Sequence, residues 1–106
     1  MSESQFLRTV EATLARIELA IEAAGLPAEC SQTASILTIE FDDGGKIIVN
    51  AQTPMRQLWL ASRGGAMHFA HDGAQWKDTR TGTEFSAALS QAVSAMLGRE
   101  IRLQGI

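Results

Sequence analysis

A single cysteine, Cys30, leaves no partner for an internal disulfide, which excludes a disulfide-stapled scaffold and fits a reducing compartment. Positive charge is scarce as well: nine Lys and Arg stand against twelve Asp and Glu, a formal net charge of −3. Nucleic-acid backbones require concentrated cations, so that partner class is set aside, while a basic protein or a cation fits the balance. No apolar run approaches the roughly 18 residues of a membrane span, and no membrane association is expected. The opening Met-Ser-Glu-Ser-Gln is acidic where a signal peptide is basic and then apolar, so a soluble, cytoplasmic protein is the expectation. Only two prolines occur, with no repeat, linker or low-complexity tract, and one domain over residues 1–106 follows. At 45% hydrophobic residues that domain can bury a core of its own.

Recognisable catalytic groups are missing too. Cys30 has no CxxC partner and no evident base, and reads as a passive thiol near a loop. Ser35 and Ser62 lack a hydrolase setting, and Gly64-Gly65 is a turn rather than a phosphate cradle. His68 and His71 lie three apart across a strand end with no third ligand in sight, which is poor spacing for structural zinc. Enzymatic chemistry is not expected, iron oxidation included.

What is present is clear periodicity. Phe6, Val10, Leu14 (or Thr13), Ile17, Ile21 and Ala24 recur at helical spacing, which predicts an amphipathic helix over residues 3–24. Ser2 with Gln5 has capping-box spacing, and Gly25-Leu26-Pro27 supplies the stop. From Ser35 the period changes to two. Leu37, Ile39 and Phe41 alternate with polar residues, Asp42-Asp43-Gly44-Gly45 turns, and residues 46–50 resume as the second arm of a hairpin. Further strands are predicted at 57–62, near 67–70 and near 75–78. Thr83 is placed as the cap of a second helix over residues 84–97, with Phe85, Leu89, Val93 (or Ala92) and Met96 on its apolar side. The alternating tail, residues 99–106, is placed against the helices. Short links between consecutive strands imply antiparallel pairing. The expected fold is α+β: a two-layer sandwich of an antiparallel sheet of five to six strands, with N- and C-terminal helices packed on one face.

Two constellations then stand out. At about 100° per residue, Glu18 lies roughly 20° from Glu11, and Glu22 roughly 40° beyond Glu18, a carboxylate stripe with Glu3 further round. Arg8 can offset Glu11, but no Lys or Arg lies three or four residues from Glu18 or Glu22. The stripe is either a solvated helix face or an acidic ridge that attracts hard cations or a basic partner. The second constellation is Asn50, Gln57 and Trp59. With Leu58 and Leu60 pointing to the core, Gln57 and Trp59 point the other way, where an indole is either a contact residue or covered by a loop or the tail.

The segment Asn50, Gln52, Pro54, Gln57, Leu58, Trp59, Ala61, Ser62, Gly64-Gly65 resembles the most specific motif of the frataxin family, in particular its bacterial, CyaY-like branch. Residues 36–41, 45–50 and 79–85, with His68-Phe69 and Trp76, extend the likeness over roughly residues 3–98. The resemblance implies a two-layer sandwich and a role in iron–sulfur cluster assembly. It implies Fe2+ or Fe3+ held weakly and exchangeably by Glu3, Glu11, Glu18, Glu22 and Glu29. It also implies a monomer that docks on cysteine desulfurase and an iron–sulfur scaffold protein, with Asn50, Gln57 and Trp59 in the contacting sheet surface. Ala51 departs from the pattern where the family usually carries Lys or Arg. Leu19, Ala23 and Ala24 thin the acidic ridge. The rival reading is a small acidic protein-binding module, such as a chaperone for a secreted effector, for which a dimer is expected.

Overall fold

The computed structural model describes all residues from 1 to 106. Helix α1 spans Glu3–Ala23 and is opened by a complete capping box: the Ser2 side chain accepts from the Gln5 amide, and the Gln5 side chain accepts from the Ser2 amide. Six strands follow: β1 (Ala28–Thr33), β2 (Ile36–Phe41), β3 (Lys46–Gln52), β4 (Gln57–Ser62), β5 (Gly65–His71) and β6 (Trp76–Asp78). They pair antiparallel in sequence order, and α2 (Phe85–Leu97) returns across the sheet.

The core is the inner face of this sheet closed by both helices. Phe6, Val10, Leu14 and Ile17 of α1 meet Leu37, Ile39, Ile47, Val49, Leu58 and Phe69 of the strands, all at 0% exposure. Leu89 and Val93 of α2 complete it. Both readings of the helical stripe hold, since Thr13 and Leu14 are each buried. Ala24 is a correction: it lies past the last helical turn, as the C-cap, and is exposed. Gly25 then takes φ 63°, a conformation that suits a residue without a side chain. In the β2–β3 turn, the ends of the Met96 and Arg63 side chains close over Gly45, and a side chain there would have to displace them.

Three more expectations change. β1 is an edge strand that no alternation in the sequence marks, Ala-Glu-Cys-Ser-Gln-Thr, and Cys30 lies on it, half-buried against the core, rather than near a loop. Thr83 does not cap α2. The N-cap is Glu84, with no side-chain bond, and the Thr83 hydroxyl instead donates to the Thr81 hydroxyl, which donates to Asp78. The tail, by contrast, docks on α2 as expected. Its Ile101 and Leu103 amides donate to the hydroxyls of Ser94 and Ser90 at 2.8 and 3.0 Å.

One buried polar contact ties α1 to the far edge of the sheet. The Trp76 indole N–H donates to the Thr13 hydroxyl at 3.0 Å, and that hydroxyl donates onward to the Thr9 carbonyl. Thr13→Val keeps the shape but strands the indole N–H, and is expected to cost about 1–3 kcal/mol in urea unfolding. An unchanged midpoint would show that this bond contributes nothing to stability.

Candidate functional site

The acidic ridge is built where α1 runs beside the edge strand β1. Glu11 is tied down: the Gln32 side chain of β1 donates to its carboxylate at 2.8 Å, and the Ser35 hydroxyl lies 3.5 Å away. Neutral donors therefore hold Glu11, and the expected offset by Arg8 is not formed. Two turns further on, Glu18 and Glu22 border a recess with Ile21, Leu26, Ala28 and Cys30. Burial pushes the Cys30 thiol up, and the Glu18 carboxylate adds to the effect. The thiol thus stays protonated at neutral pH and is a poor nucleophile or metal ligand.

Glu29 and Glu3 stand apart from this pair. Glu29 is one residue before Cys30 and so projects from the outer face of β1, directly opposite Glu40, which in turn pairs with Lys46. Glu3 lies at the other end of α1, roughly 22 Å from Glu18 along the axis at 1.5 Å per residue. The five glutamates form a charged edge rather than a cage, and nowhere do three His, Cys, Asp or Glu side chains converge. None of the five makes an ion pair; the pairs present are Arg63–Asp43, Lys77–Asp72 and Arg102–Glu100. Leu19, 65% exposed, flanks the ridge with an apolar side chain.

The outer sheet face brings Asn50, Gln57 and Trp59 together. Asn50 and Trp59 are directly opposite on β3 and β4, and the Trp59 indole N–H donates to the Gln57 side chain at 2.9 Å. All three are half-buried. Register explains a fourth member that the residues alone did not reveal. His68 lies opposite Trp59 on β5, and the two rings stack with centroids 4.1 Å apart and planes 13° from parallel. Strand alternation places His68 on this face, but only the β4–β5 register shows which ring it meets. Ile36 and Ile48, 46% and 36% exposed, extend the surface toward β2 and β3 with apolar contact area. His71, three residues on, points to the opposite face and packs edge-on against Trp76.

The arrangement offers two chemically distinct surfaces. One is an edge of unpaired carboxylates, and the other an aromatic patch fixed by hydrogen bonds and stacking. A frataxin-like domain family model matches residues 1–99 of the chain. The iron-sulfur cluster assembly protein CyaY of Herminiimonas arsenicoxydans is 48% identical over 109 residues, covering 98% of this chain and 97% of the relative. The frataxin of Psychromonas ingrahamii superposes with a TM-score of 0.91 at 31% identity, covering 99% of this chain and 100% of that one. The trimeric frataxin of Saccharomyces cerevisiae complexed with ferrous shares the fold, with a TM-score of 0.68 at 24% identity over 93% of this chain and 88% of that one.

Proposed function

This chain belongs to the frataxin family, in its bacterial CyaY branch, and from that premise we propose that it acts in iron–sulfur cluster assembly. It is an iron-binding regulator or iron donor that docks on cysteine desulfurase and on the scaffold protein. The reading of an effector-secretion chaperone loses its ground with the family assigned. The observation that carries the docking mechanism is the absence of any ion pair at Glu11, Glu18, Glu22 and Glu29. Paired acids would present little field, whereas this edge sums several free negative charges and steers a basic surface onto it.

Iron is cargo in this scheme. Carboxylate oxygens are suitable hard ligands, and Glu18 with Glu22, one helical turn apart, is the pair best placed to share an ion. Glu11 carries less of the load, because its oxygens already accept from Gln32 and Ser35. Glu3 and Glu29 contribute field rather than a common coordination sphere. Exposed, separated oxygens favour exchange over retention, as a donor requires. Asn50, Gln57 and Trp59 add the short-range contact to the desulfurase or scaffold once the acids have oriented the domain.

Reversing Glu18 and Glu22 to Lys is expected to weaken desulfurase binding more than tenfold at low salt. The deficit should shrink as ionic strength rises, because screening already reduces the wild-type attraction. Titration calorimetry at two salt concentrations checks both statements. Equal affinities for the two proteins would remove the acidic edge from the mechanism.

A further inference from the structure

The acidic edge has a counterpart of opposite sign. Residues 1–50 carry eight acids and three bases, and residues 51–106 carry four acids and six bases, net −5 and +2. Strand order follows sequence order, so the charges of the strands and their turns are laid out across the sheet: residues 28–50 carry four acids and one base, and residues 51–80 two acids and four bases. At the positive side β5, with seven residues, outruns β6, with three. Their ladder ends at Phe69–Asp78, followed by one bond from the Thr79 amide to the His68 carbonyl at 2.9 Å. Alternation turns the N–H and C=O of Ala66 the same way as those of His68, past the point where β6 has ended. Ala66 is exposed, so a free strand edge remains.

Beside this edge, between the β4–β5 hairpin and α2, runs a groove of about 550 Å³. Leu60, Met67, Ala92 and Met96 supply apolar lining, and Arg63 and Arg80 stand among its borders. Arg80 makes no ion pair, while Arg63 holds an exposed one with Asp43 at 3.1 Å. Arg80 also borders a smaller recess with Ala66, His68 and Thr79, which puts its side chain beside the free edge. Open backbone groups, an apolar slot alongside and two guanidinium groups together specify an extended chain with alternating apolar and acidic side chains. We propose that the free edge of β5 and the groove under α2 bind an acidic, extended peptide segment of a partner protein. The segment adds a strand next to Ala66, seats an apolar side chain in the groove and places carboxylates on Arg80 and Arg63.

The test titrates the isotope-labelled full chain with a synthetic heptapeptide of alternating glutamate and valine, and with its counterpart carrying lysine for glutamate. Amide shifts are expected at residues 64–68 and 91–96, with the acidic peptide binding at least tenfold more tightly. Arg80→Glu, an exposed substitution, should lower that affinity at least tenfold. Ala92→Trp should fill the groove and abolish binding while circular dichroism shows the fold intact. Equal affinity for both peptides, shifts centred on Trp59 or on α1, or wild-type affinity in Arg80→Glu would overturn the proposal. So would concentration-dependent shifts at residues 64–68 without peptide, which would assign the groove to a second copy of the chain.

Discussion

Removal of residues 99–106 is expected to lower the melting temperature by about 15 °C or more, although the segment has no regular secondary structure. The expectation follows from what the tail covers. Leu103 is 8% exposed and belongs to the core cluster, with Ile101 and Ile106 packed against it. Ile106 reaches the recess bounded by Thr13, Trp76 and Phe85, so the strap runs from the end of α2 back toward α1. Burial of one Leu side chain is worth about 1.5–3 kcal/mol, and two half-buried Ile side chains add roughly 1 kcal/mol each. A total of about 3–5 kcal/mol is a large share of the 5–15 kcal/mol typical of a domain. The hydroxyls of Ser90 and Ser94 position the strap, so Ser90→Ala with Ser94→Ala should reproduce only part of the loss, about 1–2 kcal/mol. A truncated chain that melts within a few degrees of the full one would mean the tail is solvated and the core is closed without it.

The tail also shows what periodicity can and cannot reveal. Its alternation of Ile101, Leu103 and the terminal Ile106 is visible in the residues, and so is the need for a surface to receive them. Ser90 and Ser94 as the receiving hydroxyls are not, because helix serines look the same whether they face water or a docked strand. β1 was hidden for a related reason. Its inward positions are Ala28, Cys30 and Gln32, and the last is polar because it serves Glu11 rather than the core. An edge strand that borders a helix needs little apolar content, so its alternation is blurred. The strong elements were legible because each buries one face against many partners: α1 with its 3.6-residue stripe, and β2 to β4 with their strict alternation. Thr83 misled because capping chemistry depends on where the chain turns. The Asp78 carboxylate accepts from the Thr81 hydroxyl and the Arg80 amide, and that turn delays the helix entry by one residue, from Thr83 to Glu84. On the outer sheet face, alternation alone places Gln57 and Trp59 with Asn50 nearby, but the ring that His68 stacks on requires the register.

That fourth residue shapes the largest effect expected on binding. Trp59→Ala should reduce affinity for the scaffold or desulfurase about thirtyfold or more, the loss typical of an aromatic hot spot of about 2 kcal/mol. Stability should fall by only about 1 kcal/mol, because the lost contacts are a stack on His68 and one bond to Gln57 rather than core packing. The two readouts separate a contact residue from a structural one. His68→Ala removes no contact atom of the indole but frees the ring to rotate, and is expected to weaken binding three- to tenfold through loss of preorganisation. If the stack is what presents the indole, the double variant should bind no worse than Trp59→Ala alone, a coupling a double-mutant cycle measures directly. Additive losses would mean that His68 touches the partner itself. An unfolding free energy lowered by about 3 kcal/mol or more in Trp59→Ala would place the indole among the core residues and leave the outer sheet face without its central contact.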